Sequence, residues 1–324
     1  MRVTLIHNPT AGQGQLTGDE LRTLLRAAGH KVRYQSTKKK QYPRALEAPA
    51  DLIVVAGGDG AIRKIALELV GRDAPLAVLP LGTANNIAKS LGISGTLAEI
   101  VASWARARRC KLDVGQVRAP WGKTSFIEGM GCGLFTDVMA ALNAREESEP
   151  ALFAQTDNPL GVAVRALHDA LADYRAFELR ATLDGADISG RYLMLEALNI
   201  RHVGPNLFLA PDADPSDGYL DFVLCTEDKR REVADYLAYR LEGKQAAPFL
   251  PVRKGKSLKL TWPGCPFRLD DKLWPAKQHR SKKDKPQRAA PVEIEIRLRR
   301  KSLSFLLPAG TDARLDCADE STLT

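Results

Sequence analysis

The chain has 324 residues, 44% of them hydrophobic and 27% charged, about twice the ~150 residues that serve as a prior for one domain. Two globular domains are therefore expected, and a disulfide-stapled miniprotein, a wholly disordered chain and a collagen-like or coiled-coil rod are excluded. The 47 Lys and Arg against 39 Asp and Glu leave a formal charge of +8, which suits anionic partners such as a nucleotide, a nucleic acid or an acidic membrane surface without choosing among them.

In chain order, short apolar runs alternate with helical periodicity. Strands are expected at Val3 to His7, Lys31 to Gln35, Leu52 to Ala56 and Leu76 to Leu79. Helices are expected at Leu16 to Ala28, Ala61 to Val70, Ala84 to Leu91 and Leu97 to Arg106. Gly29, Gly71 and Gly92 stand where these helices must stop. This is a βαβ series, so the fold class is α/β: a doubly wound N-terminal nucleotide-binding domain whose ligand loops gather at the carboxyl ends of parallel strands. After Lys111 the pattern turns strand-like, at Leu112 to Arg118, Ser125 to Glu128, Phe177 to Leu183, Tyr192 to Asn199, Tyr219 to Cys225 and Leu258 to Leu260. Phe267 to Leu269, Val292 to Leu298 and Leu303 to Leu306 complete an expected antiparallel β-sandwich. One helix interrupts it, with Asn158 as N-cap and Pro159 in the first turn. The expected domains are 1–110, completed by about 308–324, and 111–307.

Cys110, Cys132, Cys225, Cys265 and Cys317 lack Cys-x-x-Cys spacing and read as reduced, mostly buried thiols, and the five histidines are scattered without ligand spacing. Met1 leads at once into an alternating strand, and no uncharged apolar run reaches ~18 residues, so a cytoplasmic protein is expected, soluble or peripheral on the inner membrane face. Lys277 to Arg288 carries six cations and one acid, a basic loop that is either a solvated extension or a contact for an anionic membrane. No helix-turn-helix, zinc-finger or aromatic RNA-binding signature accompanies the charge, so no nucleic-acid partner is expected; oligomeric state is not legible.

Three glycine-rich loops each join a strand to a helix: Asn8-Pro9-Thr10-Ala11-Gly12-Gln13-Gly14, Gly57-Gly58-Asp59-Gly60-Ala61 and Pro80-Leu81-Gly82-Thr83-Ala84-Asn85-Asn86. Glycine lets amides approach a phosphate, and a helix N-terminus favours the anion, so three such loops on one edge point to a nucleotide polyphosphate. The dinucleotide fingerprint is incomplete and the P-loop lysine motif is absent. Asp59 among phosphate-binding amides implies a divalent cation between carboxylate and phosphate, or activation of an acceptor; its alternative role is to cap the helix that starts near Gly60.

Together with Ala210-Pro211-Asp212-Ala213-Asp214-Pro215-Ser216-Asp217-Gly218-Tyr219-Leu220-Asp221, these ordered motifs resemble the diacylglycerol kinase catalytic-domain family, which includes bacterial lipid kinases and sphingosine kinases. The resemblance implies an ATP- and Mg2+-dependent lipid kinase with a lipid acceptor of diacylglycerol or sphingosine kind. Its nucleotide contacts fall on Asn8, Pro9, Thr10, Ala11, Gly12, Thr37, Gly57, Gly58, Asp59, Gly60, Ala61, Gly82, Thr83 and Asn85. Asp59 is the implied catalytic or magnesium-linked acid, and Asp137 the acid that meets the acceptor hydroxyl. Main-chain carbonyls near Asp214 and Tyr219 with the Asp217 carboxylate form an implied structural magnesium site. Two positions depart from the family: Ala61 replaces a threonine, and Leu269-Asp270-Asp271-Lys272 stands where an Asp-Gly-Glu supplies the presumed base. Lys272 cannot act as a base while charged, which leaves Asp271 as the substitute or catalysis impaired. A nicotinamide-nucleotide kinase, which shares Gly-Gly-Asp-Gly, and a non-catalytic nucleotide or lipid sensor are the alternatives.

Overall fold

The computed structural model describes residues 1–14, 16–39, 42–149, 158–244, 248, 250–262, 264–274, 292–308, 315 and 317. The chain divides into two units, the first comprising Met1–Val114, Asp214–Gly218 and Arg299–Thr324, the second Gly115–Ala213 and Tyr219–Leu298.

The elements in chain order begin with β1 (Arg2–His7), α1 (Gly18–Ala27), β2 (Lys31–Ser36), α2 (Tyr42–Ala45), β3 (Leu52–Gly57), α3 (Asp59–Glu68), β4 (Leu76–Pro80), α4 (Asn86–Ser90) and α5 (Leu97–Ser103). Thr17 starts α1 through a capping box, its hydroxyl accepting from the Glu20 amide while Glu20 accepts from the Thr17 amide, and Thr96 and Glu99 repeat the device at α5. β1 lies parallel between β2 and β3, and β3 is parallel to β4. The end of a long strand, β19 (Glu293–Leu307), adds to the far side of β4, with Phe305 opposite Leu76. β3 is buried along its whole length because helices cover both faces of a parallel sheet. The order β19-β4-β3-β1-β2 has one consequence for function. The chain leaves β1 toward β2 and leaves β3 in the opposite direction, so the sheet's topological switch point lies between the carboxyl ends of β1 and β3, where open α/β sheets bind ligands.

The second unit draws on β5 (Arg108–Ala119), β6 (Gly122–Phe126), β7 (Gly129–Gly133), α6 (Leu134–Ser148), α7 (Pro159–Asp173), β8 (Phe177–Leu179), β9 (Ala181–Leu183), β10 (Ala186–Asp187) and β11 (Gly190–Leu198). It continues with the β12–β13 pair (His202–Val203, Leu207–Phe208), β14 (Leu220–Thr226), α8 (Arg230–Leu241), β15 (Val252–Gly255), β16 (Ser257–Thr261), β17 (Phe267–Leu269) and β18 (Lys272–Trp274). One antiparallel sheet runs β15-β14-β11-β7-β17-β18 with β8 on β11. The other includes β10, β9, β16 and the first part of β19, and β6 pairs with β5. Phe126, Leu258, Leu260, Ile294 and Ile296 meet Met130, Cys132, Leu195 and Phe222 in the sandwich core. A second apolar layer lies among α6, α7, α8 and β11, where Val138, Val164, Leu171, Met194, Val233 and Leu237 are buried.

The fold is thus α/β with a parallel N-terminal sheet and an antiparallel C-terminal sandwich. Several expectations need correction. Cys110 and Cys317, 207 residues apart in sequence, form a disulfide within the first unit; Cys132, Cys225 and Cys265 are thiols. No short spacing links the bonded pair, so the sequence pattern could not reveal it. Val292 to Leu298 and Leu303 to Leu306 are one strand with a kink at Lys301, whose φ of +46° lies in the left-handed region. The basic run Lys277 to Arg288 and most of 308–324 lie outside the described residues. Among the described residues no helix is long and apolar enough to cross a membrane.

Candidate functional site

The three glycine loops meet at the switch point. The Asn8 amide donates to the Ala56 carbonyl at 2.9 Å, which closes the gap between the ends of β1 and β3, and the Leu81 amide donates to the Gly57 carbonyl at 2.9 Å. Their approach is too close for side chains. A Cβ on Gly82 would lie 2.5 Å from the Gly58 Cα, and one on Gly12, whose φ is +59°, would lie 2.9 Å from the Leu81 carbonyl oxygen. In the first loop, the Thr10 hydroxyl donates to Asn8 Oδ1 at 3.0 Å and Ala11–Gly14 form a 3-10 turn. In the third, Asn85, at φ +51°, accepts from the Gly82 amide and donates back to the Gly82 carbonyl, at 2.9 and 2.7 Å. Thr37 is on the same edge, its amide donating to the His7 carbonyl at 2.9 Å. Gly58 caps α3 without a side-chain bond, and the first turn of that helix is built from Asp59, Gly60 and Ala61.

Asp59 ties the second loop to the third. Its Oδ2 accepts from the Asn86 amide and its Oδ1 from the Ile87 amide, each at 3.0 Å. These are the first amides of α4, so the carboxylate caps the N-terminus of a neighbouring helix, and the Asp59 amide of its own helix also acts on it. Burial pushes the Asp59 carboxyl above its ordinary pKa, and the two amides and the Lys89 charge pull the other way. Glycine turns beside a helix N-terminus are the kind of arrangement that accommodates an anion.

The remaining sequence candidates are distributed. In the second unit, Asp137 Oδ2 accepts a 2.5 Å hydrogen bond from the Tyr174 hydroxyl, and burial followed by this bond raises the Tyr174 pKa. Asp271 is exposed in the two-residue turn between β17 and β18, with Lys272 opposite Leu269. Asp270, at φ +51°, anchors that turn: its carboxylate accepts from the amides of Ile127, Glu128 and Gly129 at 2.8–3.1 Å. Tyr219 is 36% exposed, with Lys256 Nζ 4.7 Å above its ring.

In the first unit, the turn 214–218 is closed on itself. Asp214 Oδ1 accepts from the Ser216 amide at 2.8 Å and its hydroxyl at 2.6 Å, and the Asp214 carbonyl accepts from the Asp217 amide at 3.3 Å. Arg300 lies against Gly218: a Cβ there would be 2.6 Å from Nε and 2.9 Å from Cζ. A guanidinium in that place does not suit a divalent cation, because like charges a few ångströms apart repel. Among the described residues no group of three or more His, Cys, Asp or Glu is disposed to hold a metal.

The sequence reading named Gly82 and Asn85 but not the clasp between them, and it missed the Asn86 and Ile87 amides on Asp59 and the Asp113–Arg300 grouping in the first unit, and the Tyr174 hydroxyl on Asp137 in the second. A left-handed Asn after a glycine turn was the one available signal, at Asn85.

The family model for the diacylglycerol kinase catalytic domain matches residues 2–117, and that for the YegS C-terminal NAD kinase beta sandwich-like domain matches residues 138–267. A protein named diacylglycerol kinase from Staphylococcus saprophyticus is 20% identical over 270 residues, covering 80% of this chain and 85% of its own. One of the same name from Mycobacterium tuberculosis is 25% identical over 195 residues, 58% of this chain and 59% of its own. The crystal structure of a diacylglycerol kinase from Bacillus anthracis superimposes with a TM-score of 0.64 at 19% identity, covering 96% of this chain and 98% of that one, a likeness of fold. With both of its domains matched in order, over well more than half its length, the chain belongs to the diacylglycerol kinase catalytic-domain family, a family of lipid kinases.

Proposed function

We propose that the chain transfers the γ-phosphoryl group of ATP to a hydroxyl of a lipid of diacylglycerol or sphingosine kind, the first unit binding nucleotide and the second the acceptor. One observation carries the reading: three glycine turns, too tightly apposed for any side chain, converge at the switch point of a parallel sheet. The 3-10 turn at Ala11–Gly14 and the start of α3 supply amides to the phosphates, with Thr37 and Thr83 as hydroxyl donors and Asn85 holding the third loop in shape. A magnesium ion bound with the triphosphate would neutralise part of its charge. Phosphoryl transfer passes through a loose transition state, so positioning and charge neutralisation carry most of the rate and no covalent enzyme intermediate is needed.

Asp59 keeps the second and third loops in register beneath the phosphates. Asp271 receives the acceptor's proton, since Lys272 beside it is no base while charged. Asp137, fixed by Tyr174, accepts a hydrogen bond from the acceptor hydroxyl and orients it.

The test supplies γ-labelled ATP and magnesium with diacylglycerol, sphingosine and NAD in separate detergent-dispersed reactions. Label is expected in a lipid, and Asp271→Asn is expected to slow its appearance by about 100-fold, the lower end of a general base's contribution. Label in NAD instead would make the chain a nicotinamide-nucleotide kinase. ATP binding by calorimetry with no labelled acceptor would favour the sensor reading, which Lys272 motivates.

A further inference from the structure

The turn 214–218 is the segment for which the family resemblance implies a structural magnesium ion. Its anionic surroundings in the first unit are real. Asp113 is 1% exposed, and its Oδ2 accepts from the Gly218 amide at 2.8 Å and its Oδ1 from the Lys301 amide at 2.5 Å. The Asp113 amide in turn donates to the Pro215 carbonyl at 2.6 Å. One carboxylate thereby binds three passages of the chain: the Leu112–Asp113 stretch, the turn and β19. Asp217 adds a second negative charge that acts on Asp113.

The compensating charge is already covalent to the protein. Arg300 precedes the left-handed Lys301 at the kink of β19, and its guanidinium packs on Gly218, with Nε, Cζ and Nη2 all within 2.9 Å of where a Cβ would stand. Its charge acts favourably on Asp113, opposite in sign to that of Asp217. Gly218 is required twice over, by its φ of +82° and by the guanidinium on its open face. Of the groups implied to face a metal, the Asp214 carbonyl accepts a hydrogen bond inside the turn, as does one oxygen of the Asp214 carboxylate.

We propose that Arg300 is a built-in cation for this turn, performing the charge neutralisation that a bound divalent ion would otherwise supply, so that the Asp113–Gly218–Lys301 junction is held without metal. Arginine suits the role because it stays charged at every physiological pH and its planar head can lie flat on a glycine. The inference concerns the fold of the first unit and stands apart from the kinase reading.

The test uses the full chain without nucleotide. Thermal unfolding is followed in excess EDTA and in millimolar MgCl2, with amide hydrogen exchange at Gly218 and Lys301 as a local readout. The wild-type midpoint and both exchange rates are expected to be the same in the two media. Arg300→Met, which keeps the stem, is expected to speed exchange at both amides by at least tenfold, and Arg300→Lys to recover part of that protection. A wild-type midpoint that falls in EDTA and returns with magnesium would overturn the proposal. So would an Arg300→Met protein whose exchange at Gly218 and Lys301 matches the wild type.

Discussion

Replacing Asp59 by asparagine is expected to lower phosphoryl transfer by at least about 100-fold and to destabilise the first unit by roughly 1.5–3 kcal/mol, the range for hydrogen bonds to a charged group. The reason is geometric. The carboxylate accepts from two successive amides at the start of α4, one on each oxygen. A carboxamide has one acceptor oxygen, and its NH2 would face the second amide donor to donor. The third loop would then lose its fastening to the second, and the amides proposed to receive the phosphates would move with it; displacements of about 1 Å near reacting groups cost on the order of 100-fold in rate. Urea unfolding and steady-state turnover, measured on the same preparation, check both halves. Turnover within a factor of two of wild type would remove Asp59 from the account.

The largest stability effect is expected in the second unit, at a buried ion pair. Glu196 on β11 and Arg268 on β17 both lie opposite Gly131 on the intervening β7. Because Gly131 has no side chain, the two long side chains meet across it, Arg268 Nη2 to Glu196 Oε2 at 2.5 Å, with both side chains at most 1% exposed. A Cβ on Gly131 would stand 2.1 Å from the Glu196 carboxyl carbon. The guanidinium also donates to the Asp270 carbonyl at 3.0 Å and lies 4.6 Å from the centre of the Phe135 ring. Burial pushes the Glu196 carboxyl up, and Arg268 opposes it. Arg268→Met leaves a buried carboxylate without its counter-charge, and about 3–5 kcal/mol of stability should be lost. Arg268→Met combined with Glu196→Met should recover most of that loss, because a pair of apolar side chains incurs no desolvation penalty. Chemical denaturation of the two variants decides it; a single variant less than ~1 kcal/mol below wild type would contradict the reading of the pair.

This pair also shows where the sequence stops being informative. No strand is expected from sequence at Gly129-Met130-Gly131-Cys132-Gly133, since glycine weakens strands. That segment is the central strand β7, with Met130 and Cys132 in the sandwich core and Gly131 making room for Glu196. Only tertiary context requires that spacing. The helix α8 was missed for a related reason: charged residues interrupt the apolar positions of Arg230–Leu241, which buries only Val233, Tyr236 and Leu237. In the first unit, by contrast, local rules agree with one another. Apolar strands, capping boxes and glycine stops are short-range signals, and the expected strands at Val3, Lys31, Leu52 and Leu76 fall within β1 to β4. The three glycine loops were legible for the same reason. What joins them was not, because the partners of Asp59 are main-chain amides 27 and 28 residues away, and a backbone amide leaves no mark in the residue types.

The central claim is that a nucleoside triphosphate binds across these three turns, and amide hydrogen exchange of the full chain with and without ATP and magnesium tests it most directly. Slowed exchange is expected in residues 8–14, at Thr37, and in residues 57–61 and 81–87. Unchanged exchange in all of these segments at saturating ATP, or protection confined to the second unit, would contradict the account.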